Sequence, residues 1–307
     1  MIPKAESPKH IDTGRVAQVI VVIGMAGSGK TTFVTRLAAH LRQNQKRAYL
    51  VNLDPAVRSV PYACNIDIRD TVNYKNVMKQ YGLGPNGAIM TSLNLFATKF
   101  HQVLELMENR KDAVDYFIVD TPGQIEVFNW SASGSIILDA LAVSFPTTVS
   151  FIVDTKRCES PISFTSNMLY ACSVLYKTKL PFILTFNKTD LASWHERAAW
   201  LDDIDAFCSA TQTEDSYAGS LSRSCGITMM EFYQSIRHTG VSSATGDNFS
   251  EFVVKLEEAY QEYQSDYVDW LQVQRDAVRM KREQEAASSH QAFQEDLDRD
   301  LVLKSSG

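Results

Sequence analysis

A mostly parallel α/β sheet flanked by helices is the fold class this sequence predicts, on three observations. Short apolar, β-branched runs recur at residues 19–23, 48–51, 116–119, 149–153 and 182–186, each with the length of a buried strand. Stretches of helical period lie between them, as at 32–41, where Phe33, Val34, Leu37, Ala38 and Leu41 make one apolar stripe. Strands alternating with helices imply a sheet covered on both faces. Finally, 45% of the 307 residues are apolar, enough for a sizeable core and no match for a disordered or low-complexity chain.

Two regions depart from the alternation. Residues 67–108 show no strand run but two helical patterns, 69–80 and 93–107, separated by 81–87; the expectation is a helical insertion that enlarges the domain. Residues 211–226 are rich in Ser and Gly and read as a mobile loop. Residues 248–272 then repeat Val253, Leu256, Ala259, Tyr260, Tyr263, Tyr267 and Trp270 at helical spacing, which predicts a helix packed on the domain. From 275 to 301 the chain is charged and loses that stripe, as a protruding helix or a disordered tail would. The division expected is a lead at 1–16, one domain at 17–270 and a charged tail at 271–307, with no internal repeat.

Thirty basic against 36 acidic residues leave a net charge of −6, so no overall footprint for a nucleic-acid backbone or an anionic membrane exists. No direct nucleic-acid partner and no membrane are expected. Five scattered cysteines, Cys64, Cys158, Cys172, Cys208 and Cys225, offer neither CxxC zinc spacing nor a disulfide framework, which fits a reducing compartment. The six histidines likewise show no ligand spacing. The first residues carry no signal-peptide core, and no stretch reaches the roughly 18 apolar residues of a membrane span; a soluble, intracellular protein is expected.

Open parallel sheets bind ligands beyond the carboxyl ends of their strands, so the residues following each run carry the chemistry. After the first run stands GMAGSGKT, a GxxxxGK[ST] phosphate loop between strand and helix. Backbone amides of Gly24, Met25, Ala26, Gly27, Ser28 and Gly29 crowd phosphate oxygens there, with Thr32 beginning the helix. Lys30 reaches the β- and γ-phosphates, and the Thr31 hydroxyl ligates Mg²⁺. After the third run comes DTPGQ at 120–124: Asp120 is placed to hold Mg²⁺ through water, and the Gly123 amide to meet the γ-phosphate. NKTD at 187–190 follows the fifth run. Asp190 can accept from the guanine N1–H and amino group, a donor pair adenine lacks; Asn187 and Asp190 are expected to read guanine, with the Lys188 stem over the ring. Asp54, in NLDP at 52–55, is a carboxylate for the metal and for positioning water, or else an Asp-Pro turn.

DTPGQ resembles the third motif of small GTP-binding proteins, which puts Gln124 in the place of the glutamine that orients attacking water. VSSAT at 241–245 is similar to their weak fifth motif, whose backbone, here at Ala244, touches the guanine oxygen. Gly84, Pro85 and Asn86 lie between two helical segments, downstream of NLDPA and upstream of DTPGQ. In that order the motifs resemble the GPN-loop GTPases, P-loop proteins of the class that holds the signal-recognition GTPases and the MinD-like ATPases. The resemblance covers about residues 17–270. The N-terminal lead and acidic C-terminal segment look most like the family's first eukaryotic paralogue, implicated in RNA polymerase II assembly and nuclear import.

What the resemblance implies is a P-loop NTPase fold with a helical GPN-loop insertion, GTP and GDP as ligands with Mg²⁺, and a dimer with facing active sites. Each GPN loop would reach its partner, so that Asn86 acts in trans as a neutral donor and turnover is slow. The signature lysine of MinD-like ATPases is replaced here by Met25. A homodimer and a heterodimer with a paralogue both remain open, with polymerase subunits or assembly factors as partners and a cytoplasmic location shuttling to the nucleus. Two other readings stand beside it: a P-loop kinase, which NKTD and DTPGQ oppose, and a nucleotide-gated assembly chaperone with incidental hydrolysis. For the latter, the apolar stretch 135–145 is either a groove for a client peptide or a core helix.

Overall fold

Every residue of the strand Gln18–Gly24 (β1) is buried on both faces, and its parallel neighbours Tyr116–Asp120 (β4) and Thr147–Asp154 (β5) are buried throughout as well. That explains the unbroken apolar runs, because a strand covered on both sides gains nothing from alternation. The structure, a computed structural model, describes residues 16–212, 216–229, 232–233, 236–277, 279–284 and 288. Ala48–Asn52 (β2), Ile66–Asp67 (β3), Phe182–Asn187 (β6) and Arg237–Val241 (β7) complete a seven-stranded, wholly parallel sheet in the order β3-β2-β4-β1-β5-β6-β7. β1 lies in the middle, so its carboxyl end opens between those of β4 and β5.

One face of the sheet is covered by Lys30–Gln43 (α1) and the helix Phe249–Glu262. Phe33, Val34, Leu37 and Leu41 meet Phe249, Phe252, Leu256 and Ala259 over Ile20, Val22 and Ile118. The rings of Phe33 and Phe252 meet edge-on at 5.0 Å. Each such fully buried ring contributes on the order of 2 to 3 kcal/mol. Phe249 and Phe252, absent from the stripe read in the sequence, are as fully buried as Leu256 and Ala259 within it.

The insertion is helical, as expected, with different joints. Ile68–Thr71 (α2) and Tyr74–Tyr81 (α3) replace the single pattern at 69–80. The chain is extended at Val72 and Asn73, and the Asn73 side chain caps α3. Pro85–Ala97 (α4) and Phe100–Glu108 (α5) replace 93–107. The stretch 81–87 is therefore no plain connection: Gly84 caps α4, and Pro85 and Asn86 begin it, because proline's missing N–H costs nothing in a first turn. Ile125–Asn129 (α6) follows the third motif and Ala132–Ser144 (α7) holds most of 135–145. Ile137, Leu138, Leu141 and Ala142 are buried in α7 while Ile136 and Val143 stay exposed, which makes it mainly a core helix.

The Ser/Gly-rich segment is the largest departure. After Pro161–Thr178 (α8), His195–Asp202 (α9) and Ile204–Thr211 (α10), residues Tyr217–Thr228 form a helix (α11) capped by Ser216, whose hydroxyl accepts from the Gly219 amide. Its small residues serve close packing: Gly219, Ser222 and Gly226 are buried, and a Cβ on Gly226 would lie 2.4 Å from the Phe207 ring. The remainder of the expected loop, 213–215, lies outside the described residues.

β3 and β7 escape the sequence reading. β3 has two residues, and β7 reads RHTGV, where Gly240 makes room for the Trp194 ring instead of carrying an apolar side chain. The chain divides into two compact units between Gln261 and Glu262, somewhat before residue 270. In the second unit Tyr263–Tyr267 is a π-helical turn whose two tyrosine rings stack at 5.0 Å, and the described residues beyond it through Glu283 are helical. The lead at 1–15 and the end of the charged tail lie outside the described residues. Among the described residues no helix is long and apolar enough to cross a membrane, no metal-binding group of His, Cys, Asp and Glu occurs, and all five cysteines are free.

Candidate active site

The turn Gly24–Gly29 leaves β1 and ends in α1, with Gly29 in the left-handed region at φ 92° as its cap. Glycine is required twice over there: the backbone angle is costly for other residues, and a Cβ would sit 2.6 Å from Asn187 Nδ2. Lys30 is buried and its ammonium folds back on the turn, donating to the carbonyls of Gly24 at 2.7 Å and Met25 at 3.1 Å. Burial pushes Lys30 down to about 8, against the opposing pull of Asp120, Asp54 and Glu126. Met25 is half-buried, Ala26, Gly27 and Thr32 are exposed, and Ser28 is buried with a hydroxyl that lacks a hydrogen-bond partner.

Register sets Asp120 beside this loop, since Val22 of β1 pairs with Asp120 of β4 and Asn52 of β2 pairs with it from the other side. One carboxylate oxygen, Oδ2, accepts from the Thr31 hydroxyl at 2.9 Å and from the Tyr62 hydroxyl at 3.1 Å. The other, Oδ1, is buried without a partner, and burial raises the group to about 6. A hydroxyl, a carboxylate with an unpartnered oxygen and an ammonium fit a Mg²⁺–phosphate pair: the cation would supply what Oδ1 lacks.

Asp54 stands two residues beyond the end of β2, in an Asx turn. Asn52 Oδ1 accepts from the Asp54 amide at 3.1 Å, and Asp54 Oδ1 from the Ala56 amide at 2.9 Å. Burial raises its carboxyl, and the Ala56 amide and the Gly123 amide, from the neighbouring DTPGQ turn, hold it down. Asn52 also donates to Asp67 Oδ1 at 3.1 Å, and Asp67 grips Arg69 through both oxygens. Gln124 caps α6 through its backbone only and is half-buried. Gly84, Pro85 and Asn86 are exposed; the Tyr74 hydroxyl donates to the Pro85 carbonyl at 3.3 Å, and no hydrogen bond ties Asn86 to the phosphate loop among the described residues.

On the opposite side, β6 delivers NKTD. Asn187 is buried and uses its whole amide: Nδ2 donates to the Ser28 carbonyl at 2.9 Å, while Oδ1 accepts from the Lys188 amide, the Ser243 amide and the Ser243 hydroxyl. Three loops from three strands are pinned to one side chain. Pairing of Asn187 with Val241 puts Ser242, Ser243 and Ala244 there, and the Ala244 and Ser243 carbonyls accept from Arg36. Asp190 is exposed; Oδ1 accepts from the Ser242 hydroxyl at 2.6 Å, and Oδ2 accepts no protein hydrogen bond among the described residues. Lys188, at φ 65°, donates from Nζ to the Gly27 carbonyl at 2.8 Å and to Asp154 Oδ2 at 2.6 Å.

Sequence reasoning missed Tyr62, the Asp67–Arg69 pair and Arg157, and quoted Asn52 only as the first residue of NLDP. It flagged Asp154 only as a residue after a strand run, and Ser242 and Ser243 only as members of a weak motif. Tyr62 carries no signal but its place in the loop after NLDPA.

A family model described as "Conserved hypothetical ATP binding protein" matches residues 22–262. Among curated relatives, the protein named GPN-loop GTPase QQT2 of Arabidopsis thaliana is 54% identical over 246 residues, 80% of this chain and 65% of its own length. The chain thus spans just under two thirds of that relative. The protein named GPN-loop GTPase 1 of Dictyostelium discoideum is 49% identical over 279 residues, covering 91% of this chain and 70% of that one. Among solved structures, an apo-form GTPase of Pyrococcus abyssi, PAB0955, superposes with a TM-score of 0.70 at 28% identity, over 79% of this chain and 97% of that chain.

Proposed function

This chain belongs to the GPN-loop GTPase family, and on that premise we propose that it binds GTP and hydrolyses it to GDP and phosphate. The observation that carries this reading is the Thr31–Asp120 pair beside Lys30, joined through Asn187 to the loop bearing Asp190. The family model's description names ATP, but Asp190 favours guanine: a carboxylate can accept from guanine's two adjacent donors, and adenine would leave it unpaired.

Lys30 extends to the β- and γ-phosphates in place of the Gly24 and Met25 carbonyls, and the loop amides hold the remaining oxygens. Mg²⁺ would be held by Thr31 and, through water, by Asp120, with Asp54 near; when bound it supplies positive charge to the phosphates. Asp54 and Gln124 position the attacking water. Asn86, exposed at the start of α4, serves the partner's site in a dimer with this chain or a paralogue. An amide stabilises developing charge less than a guanidinium, so turnover is slow. By the same family resemblance, the role in the cell is assembly and nuclear import of RNA polymerase II, with the protein shuttling between cytoplasm and nucleus.

GTP turnover per protomer, measured with product analysis across a range of protein concentrations for the wild type and Asn86→Ala, tests the proposal. The expected result is GDP and free phosphate, a specific rate that rises with concentration, and loss of that rise in Asn86→Ala. A rate independent of concentration in both removes the trans role; phosphate transferred to an acceptor removes the hydrolase.

A further inference from the structure

Asp154 closes β5 opposite Asn187, its partner in the sheet register, and the Thr155 amide and hydroxyl both donate to the Asn187 carbonyl. Its carboxylate is buried and fully occupied. Oδ1 accepts from the Lys156 amide at 3.1 Å and the Arg157 amide at 3.4 Å, which fixes the short 3₁₀ turn Lys156–Cys158. Oδ2 accepts from Lys188 Nζ at 2.6 Å and lies 3.6 Å from Arg157 Nε. Both cations continue to the phosphate loop: Lys188 donates to the Gly27 carbonyl at 2.8 Å and Arg157 Nη1 to the Ala26 carbonyl at 3.1 Å. The guanidinium is packed so closely that a Cβ on Gly27 would lie 3.2 Å from it.

We propose that Asp154 is a positioning residue for nucleotide retention: through Lys188 and Arg157 it clamps the consecutive carbonyls of Ala26 and Gly27 and shapes the phosphate loop before nucleotide arrives. A carbonyl turned outward to a cation turns the N–H of its own peptide unit the other way, toward the loop interior where an anion would sit; of the two N–H groups so set, that of Ser28 donates to the Met25 carbonyl at 3.2 Å. The left-handed backbone of Lys188, uncommon outside glycine, is held by anchoring both ends of the residue, at its amide on Asn187 and at Nζ on Asp154. Arg157 reaches the loop from outside both the GxxxxGK[ST] and NKxD motifs, and its side chain is 66% exposed, so it adds a second arm that the motifs do not contain. The carboxylate is the hub: without its charge, Lys188 sits on Gly27 alone and the 3₁₀ turn no longer aims Arg157.

The inference rests on the proposed binding of guanine nucleotide, and the test separates the two. Dissociation of a fluorescent GDP analogue, chased with unlabelled GDP, is to be timed for the wild type, Asp154→Asn, Arg157→Ala and the double variant. Asp154→Asn is expected to release GDP about tenfold faster and Arg157→Ala about threefold faster, as breaking one partner of a buried charge pair acts on off-rates. The double variant should be no faster than Asp154→Asn, since both act through one hub. Arg157→Lys should restore most of the loss. Should Asp154→Asn not fold, the exposed Arg157 pair of variants carries the test alone. Release at the wild-type rate overturns the inference, even where Asp154→Asn lowers the melting temperature of the nucleotide-free protein. A wild type that retains no guanine nucleotide overturns the proposed function, and this inference with it.

Discussion

The two sides of the candidate site are built differently. On the binding side, the phosphate loop, NKTD and the Ser242–Ser243 turn share buried side-chain hydrogen bonds through Asn187, and Lys188 and Arg157 add charged ones through Asp154. On the hydrolysis side, Asp54 is held by backbone amides, Gln124 is fixed only through its backbone, and Asn86 is exposed. On the roles proposed above, one chain preorganises capture of a nucleotide and leaves the groups assigned to water attack to be brought together later. Preorganisation lowers the ordering cost on binding; an unassembled catalytic half withholds turnover until something completes it.

The sharpest way to break this contrast is Asn187→Ala. It leaves the Ser28 carbonyl and the Ser243 and Lys188 amides without their buried partner, so GDP affinity should fall by roughly a hundredfold, with a lower melting temperature. Calorimetric titration showing near wild-type affinity would mean the three loops hold themselves. Gln124→Ala probes the other side: turnover should drop about tenfold or more while GDP affinity stays within about twofold. A matching loss in affinity would show that the hydrolysis side already takes part in capture.

A smaller effect sharpens the comparison through pH. The folded, empty protein holds Lys30 at about 8, below the 10.5 of the unfolded chain. Between these values the unfolded state binds the extra proton, so the stability of the empty protein gains from this group as pH rises through that window. Phosphate needs the charged ammonium, so nucleotide affinity should fall over the same window, by up to about tenfold per unit. Thermal melts and titrations from pH 7 to 9.5 should move in opposite directions. Affinity that holds level to pH 9.5 would mean Lys30 is not the group that meets the phosphates.

Much of this molecule is legible in its sequence because the signals are local. Five strands announce themselves as apolar runs because β1, β4, β5 and β6 are buried throughout and β2 over its last three residues, and the phosphate loop does so because its glycines and lysine fall within seven residues. The segment Tyr217–Thr228 misleads for a tertiary reason: Gly226 and Ser222 resemble loop residues, yet their smallness answers to the Phe207 ring and the neighbouring helices. β7 fails in the same way, its Gly240 lying under Trp194.

The sequence by itself determined the parallel sheet, the order of the phosphate and base loops along the chain, and the chemical type of their ligand. Tertiary structure alone decided that Tyr62 and Thr31 share one oxygen of Asp120, that Asn187 is spent tying loops together, and that Arg157, paired with Asp154, reaches a loop 131 residues away. The physical reason is that strand register and burial create these contacts. A hydrogen bond across neighbouring strand ends depends on which strands lie side by side, and linear spacing does not record that.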